Sequence, residues 1–148
     1  MKTVLFVCVH NAGRSQIAEA LFNQLAGQRG IPARAESAGT EPAGQVHPEV
    51  VEVMRERGID LSRRRPHRLA EAHVRRAWRV ITMGCAPDAG SCPALFLREV
   101  QDWALPDPRG RPLEEVRALR DEIERRVSAL LDEIAAATPL AEGSARPA

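Results

Sequence analysis

Cys8 and Arg14 lie near the two ends of the octapeptide CVHNAGRS, Cys8 to Ser15. The apolar run TVLFVC leads into it. SQIAEALFNQL leads out, with Ile17, Ala20, Leu21 and Leu25 at helical spacing. A loop that passes from a strand end into a helix presents unpaired backbone N–H groups and the positive end of the helix dipole, and so binds anions. Gly13 keeps a side chain out of the turn. Arg14 adds a planar fork of donors that matches a tetrahedral oxyanion. The same surroundings favour a thiolate, which makes Cys8 a candidate nucleophile with Ser15 as a hydroxyl donor to its sulfur. Asn11 can hold the loop through its side-chain amide. The backbone of Val9, His10, Asn11, Ala12 and Gly13 completes the expected oxyanion-binding set with Cys8, Arg14 and Ser15.

A thiolate that attacks a tetrahedral oxyanion needs its leaving oxygen protonated. A carboxylic acid from another loop can do this, and Asp102 and Asp107, in DWALPDP, are the two candidates.

The composition narrows the field. The chain has 148 residues, the size of one domain, with a net charge of +1. Neither value calls for nucleic acid or a membrane surface. The basic run Arg63-Arg64-Arg65 reads as a solvated face. No apolar stretch approaches the ~20 residues of a membrane span, and the N-terminus reads as a first strand, not a signal peptide. Three cysteines, Cys8, Cys85 and Cys92, do not suggest a disulfide framework. The separation of Cys85 from Cys92 is not that of common structural zinc sites. A cytoplasmic monomer is expected.

The elements that position these groups follow from the pattern. Strands are predicted at Thr3 to Cys8, Ala33 to Ser37, Trp78 to Met83 and Glu99 to Trp103. Helices are predicted from Ser15, ended by Gly27 and Gly30, and at His47 to Arg57, Leu69 to Ala77 and Leu113 to Ala136. Gly84 to Pro93 and Ala104 to Pro112 read as loops, and residues 138–148 as a disordered tail after a single catalytic domain, 1–137. Alternating strands and helices predict an α/β fold: a four-stranded open parallel sheet with helices on both faces. Cys8, Gly84 and Trp103 then fall at the carboxyl ends of strands, where such folds bind ligands.

CVHNAGRSQIAEA resembles the oxyanion loop of the low-molecular-weight protein tyrosine phosphatases and of the arsenate reductases built on the same fold. The similarity continues through ESAGT (36–40), RERGIDLS (55–62), VITMGC (80–85), CP (92–93) and DWALPDP (102–108). It implies Asp107 as the general acid. It also implies the thioredoxin-coupled reductase type, which carries two further cysteines after the third strand, here Cys85 and Cys92. In that chemistry Cys8 attacks arsenate, Cys85 displaces arsenite by forming a disulfide with Cys8, and Cys92 takes that disulfide over for reduction by thioredoxin. Reductases that use a low-molecular-weight thiol have a shorter segment between the later cysteines.

A phosphatase is the alternative. The aromatics that usually follow the Asp-Pro pair in tyrosine phosphatases are replaced here by Arg109 and Gly110, and the chain has no Tyr. A non-catalytic protein holding arsenite on three thiolates is a further alternative. No tightly bound cofactor is expected. Some members bind potassium; Asn11, Glu19 and Ser37 match three of its ligands, and the fourth position falls on His67, an imidazole that suits potassium poorly. Gly13 stands where many members have a second cysteine.

Overall fold

The computed structural model describes residues 1–84 and 100–137. In chain order the elements are β1 (Lys2–Cys8), α1 (Arg14–Arg29), β2 (Ala33–Gly39), α2 (Pro48–Arg55), α3 (Glu71–Arg76), β3 (Arg79–Thr82), β4 (Gln101–Asp102) and α4 (Leu113–Ala137). The four strands form one sheet in the order β2-β1-β3-β4, and every pairing is parallel. Parallel strands need crossovers: α1 supplies the one from β1 to β2, and α2 with α3 the one from β2 to β3.

β1 is buried on both sides, which is why its sequence is a continuous apolar run rather than an alternating one. Successive side chains still point to opposite faces. Val4, Phe6 and Cys8 join the larger core with Ile17, Leu21 and Phe22 of α1, Val53 and Met54 of α2, and Ile123, Val127 and Leu131 of α4. Leu5 and Val7 face the smaller core, with Leu69, Val74 of α3, Ala77 and Val80. Phe6 anchors the larger core, packing at 6.3 Å from Phe22 and 5.5 Å from Trp103, centroid to centroid.

The predicted boundaries shift for identifiable reasons. α1 runs through Gly27, whose place on the helix meets no neighbour, and ends only at Gly30 in the left-handed conformation. α2 starts at Pro48 because proline fits the first helical position, with His47 as its cap residue. α3 is shorter than the apolar pattern suggested, because Leu69 belongs to an extended segment that bridges Gly39. β3 likewise spans only Arg79–Thr82. β4 is a two-residue strand, continued by Trp103 N–H donating to Thr82 O at 2.8 Å. Glu99, the loop 85–93 and the tail 138–148 lie outside the described residues, as do Cys85 and Cys92.

The register brings the carboxyl ends together. Cys8 pairs with Gly39, Val7 with Thr82, and Thr82 with Asp102. The chain leaves β1 for one neighbour, β2, and returns to the other, β3, so a crevice opens at the carboxyl end of β1. Cys8 is the last residue of that strand.

Ile123 is fully buried where α4 meets the rest of the core, away from this crevice. Ile123→Ala is expected to lower unfolding free energy by about 2–5 kcal/mol. In urea titration the midpoint falls and the slope stays unchanged; a smaller loss would mean that α4 is loosely docked.

Candidate active site

The loop between β1 and α1 has its carbonyls turned outward. The segment 40–47 takes them in order: Thr40 N–H donates to Cys8 O (3.3 Å), Glu41 to Val9 O (2.8 Å), Ala43 to His10 O (3.0 Å) and His47 to Ala12 O (2.9 Å). In a trans peptide the N–H lies opposite the C=O. Turning the carbonyls toward 40–47 therefore turns the following amides toward the concave side. Asn11 N–H, 3.2 Å from Cys8 Sγ, has this orientation. The result is a nest of amides at the N-terminus of α1, built to hold an anion.

Cys8 is buried, and its Sγ lies 2.9 Å from Ser15 Oγ. Asn11 Nδ2 donates to the same Oγ at 2.8 Å, so the hydroxyl proton of Ser15 is free to point at a thiolate. Asn11 is fully buried with φ 51°, a conformation that asparagine tolerates better than most residues. Its Oδ1 accepts from Gln16 Nε2 (3.1 Å) and from the backbone N–H of His67 (2.8 Å), and its carbonyl accepts from Gln16 Nε2 (3.0 Å).

Arg14 donates from Nη1 to Met83 O and Leu105 O, both at 2.7 Å. Two strand-end loops thus fix the guanidinium plane. Nη1 carries two of the five guanidinium donors, and Nε and Nη2 supply the fork for an oxyanion. His10 is turned elsewhere: its Nδ1 is 3.1 Å from Glu41 O.

The two candidate acids separate. Asp102 Oδ1 accepts from Thr82 Oγ1 (2.6 Å) and Gly84 N (3.0 Å), bracing β4 against β3. Asp107 lies in the field of Arg14 and accepts from Arg109 N–H at 2.9 Å. Burial raises the Asp107 pKa, but the Arg109 amide and the charges of Arg14, His47 and Arg109 outweigh it and hold the carboxyl below its ordinary value. The free protein therefore keeps Asp107 ionised at neutral pH. A dianion in the nest would reverse this field and favour the protonated form that an acid catalyst needs.

His47 was not singled out by sequence reasoning, which gave it only a helix start. It stands beside the loop: a Cβ on Gly13 would meet Pro108 Cγ at 2.8 Å and His47 Cδ2 at 3.4 Å. Gly13 is thus required for close approach of the Asp107-Pro108 loop. Burial, partly offset by Asp107 and Glu49, lowers the His47 pKa below that of an ordinary imidazole. Nothing in the local sequence VHPEV marks this role, because the neighbours come from residues far away in the chain.

The expected potassium ligands already have protein partners. Glu19 Oε1 accepts from Ser37 Oγ (2.5 Å) and pairs with Arg64 Nη2 (2.6 Å), while Asn11 Oδ1 carries the two bonds above. His67 contributes its backbone, and its side chain is exposed. These residues do not fit a bound potassium ion. Arg64 also departs from the solvated face expected of Arg63-Arg64-Arg65: Arg63 and Arg65 are exposed, but Arg64 turns inward.

Residues 3–140 match the family described as low molecular weight phosphotyrosine protein phosphatase. The chain belongs to this family. Within it, this phosphatase-family protein is 44% identical over 130 residues to a Halobacterium salinarum protein provisionally assigned as an arsenate reductase, covering 86% of this chain and 89% of that one. A solved arsenate reductase in the phosphate-binding state is similar with a TM-score of 0.77 at 32% identity, over 90% of this chain and 99% of that chain. A thioredoxin-dependent arsenate reductase from Corynebacterium glutamicum has a TM-score of 0.71 at 35% identity, over 93% of this chain and 64% of that chain. The expected fold, a parallel four-stranded sheet with helices, is the fold observed.

The nest depends on Gly39, against which the loop backbone lies: a Cβ there would sit 2.5 Å from Val9 O and 2.9 Å from Asn11 N. Gly44, in the same segment, has open space around it. Gly39→Ala is expected to raise the inorganic phosphate concentration that protects Cys8 from iodoacetamide by about tenfold or more, since misplacing such a site by an ångström costs up to about 10²-fold. Gly44→Ala is expected to leave it unchanged. Equal protection in both variants would show that the loop does not form the anion site.

Proposed function

We propose that this protein is a thioredoxin-coupled arsenate reductase. The observation that carries the proposal is Cys8, seated in an amide nest beside Ser15 and Arg14, in a chain that also contains Cys85 and Cys92. The reductases among its relatives support it.

The chemistry follows from the groups. The Cys8 thiolate attacks arsenic, and a proton from Asp107 lets an oxygen of arsenate leave as water. A Cys8 sulfur–arsenic bond results, with the remaining oxygens held by the nest amides and Arg14. The thiolate of Cys85 then attacks Cys8 Sγ. The sulfur–arsenic bond breaks, its electron pair goes to arsenic, and arsenite leaves as As(III) while a Cys8–Cys85 disulfide forms. Cys92 attacks Cys85, releasing the Cys8 thiolate and leaving a Cys85–Cys92 disulfide. Reduced thioredoxin supplies the two electrons that restore both thiols. The relay requires the cysteine Cα atoms to come within about 7 Å of one another in turn.

The second reading is a phosphomonoesterase. The nest favours it as much as the first, because phosphate and arsenate share shape and charge, and water could hydrolyse a phosphocysteine on Cys8. Slow hydrolysis of aryl phosphates is therefore expected alongside reduction.

The deciding assay is arsenate-dependent NADPH oxidation with thioredoxin and thioredoxin reductase, beside aryl phosphate hydrolysis. Cys8→Ser is expected to abolish both. Cys85→Ser is expected to abolish only the first; loss of both activities with the fold intact would refute the relay. Fast hydrolysis without NADPH consumption would make the protein a phosphatase.

Asp107→Asn is expected to lower turnover by about 10²–10⁴-fold, the usual worth of a positioned acid. The loss should shrink when the aryl phosphate has a leaving group that needs no proton. A uniform loss across leaving groups would assign the acid elsewhere.

A further inference from the structure

Glu19 is buried on the face of α1 that meets β2. A carboxylate taken out of water needs a partner, since an uncompensated buried charge is strongly destabilising. Ser37 donates one hydrogen bond to Oε1. The compensating charge comes from Arg64, whose Nη2 lies 2.6 Å from the same oxygen. Arg64 is placed there by a turn. Asp60 Oδ1 accepts from the backbone N–H (2.9 Å) and hydroxyl (2.6 Å) of Ser62, and Arg64 N–H donates to Leu61 O at 3.1 Å. Leu61 is buried in the main core and anchors the start of the segment.

The same segment continues to the active loop. Three residues after Arg64, the backbone of His67 donates to Asn11 Oδ1 at 2.8 Å, and its carbonyl accepts from Gly39 N–H at 2.8 Å. Leu69 N–H donates to Gly39 O at 2.8 Å and buries its side chain in the smaller core. The strap 60–69 is therefore pinned at both ends and in the middle. Its middle pins are the Arg64–Glu19 ion pair and the bond to Asn11, the residue that orients Ser15 toward Cys8.

We propose that the Arg64 guanidinium is a built-in cation for Glu19, taking the place of a bound monovalent metal ion and positioning the catalytic loop through the His67–Asn11 hydrogen bond. The protein is then independent of potassium. Arg64 is a positioning residue; it touches neither sulfur nor oxyanion. An ion pair of this kind is fixed in the chain, so the loop geometry does not follow the salt composition of the medium. The inference rests on the reading of residues 8–15 as an oxyanion nest only for its effect on anion binding; the claim about Glu19 stands apart from it.

The test compares potassium chloride with choline chloride at equal ionic strength. It uses the full chain and two readouts: thermal unfolding, and inorganic phosphate binding by calorimetry. The wild type is expected to give the same melting temperature and the same phosphate affinity in both salts. Arg64→Met is expected to melt lower in choline and to bind phosphate about tenfold more weakly, with potassium restoring both, because Glu19 and Ser37 then offer oxygens to a metal ion. Arg64→Lys, which keeps a cation, should behave like the wild type. The double variant Glu19→Gln with Arg64→Met should lose the potassium response.

A wild type stabilised by potassium overturns the proposal, and this needs no variant to fold. So does an Arg64→Met protein weakened equally in both salts, since Arg64 would then be a brace and not a replaceable cation. A wild type that binds no phosphate in either salt would refute the nest reading instead, and the melting curves would still decide the role of Arg64.

Discussion

Asn11 is fully buried, with no bulk water to satisfy its amide, and its backbone is held at φ 51°. Its side chain bonds to Ser15, Gln16 and the backbone of His67, and its own N–H faces Cys8 Sγ. These partners come from three parts of the structure: the end of β1, the first turn of α1 and the strap after α2. A buried amide loses its hydrogen bonds at the full desolvation cost, so the partners cannot drift independently. The loop between β1 and α1 is therefore held as a single shape, and the direction of its amides, the aim of Ser15 and the position of the sulfur are consequences of that shape.

The sheet topology gives this loop its opening. β1 is central, with β2 and β3 on opposite sides, and at its carboxyl end Arg14 meets Met83, Leu105 and Asp107 from other loops. Arg14 is tied to two carbonyls that belong to separate strand ends, so its guanidinium reports the relative placement of those loops. Asp107 is held ionised by the hydrogen bond from the Arg109 amide and by the field of Arg14. An anion entering the nest changes that field, which links oxyanion binding to the protonation state of the acid.

This arrangement does not by itself separate a phosphatase from an arsenate reductase. The family is described by a phosphatase, while similar proteins include arsenate reductases. The physical reason is that the first step, attack of a thiolate on a tetrahedral oxyanion, asks for the same donors in both reactions. The difference lies in what attacks next. Water on a phosphocysteine completes a hydrolysis, whereas a second thiol on the Cys8–arsenic adduct completes a reduction. Cys85 and Cys92 bear on that second step.

The sequence by itself determined the strand-loop-helix unit that carries Cys8 and Arg14, because a buried parallel strand and an amphipathic helix each have a local period, and a glycine-bearing turn between them has few shapes. It determined the parallel sheet for the same reason, and it marked Asp107, with Asp102 as rival, by its place before Pro108 in a Pro/Gly-rich loop and by the family resemblance. The tertiary structure alone decided which carboxylate stands in the field of Arg14, since that depends on two loops meeting. It also decided that the 40–47 segment turns the nest carbonyls outward, that His47 flanks Gly13, and that Arg64 leaves its arginine run to neutralise Glu19. These contacts join residues tens of positions apart, so no spacing encodes them, and the charge of a basic run says nothing about which member of it is turned inward. The desolvation of Glu19 makes that choice, because a buried carboxylate requires whichever cation the turn at Ser62 can deliver.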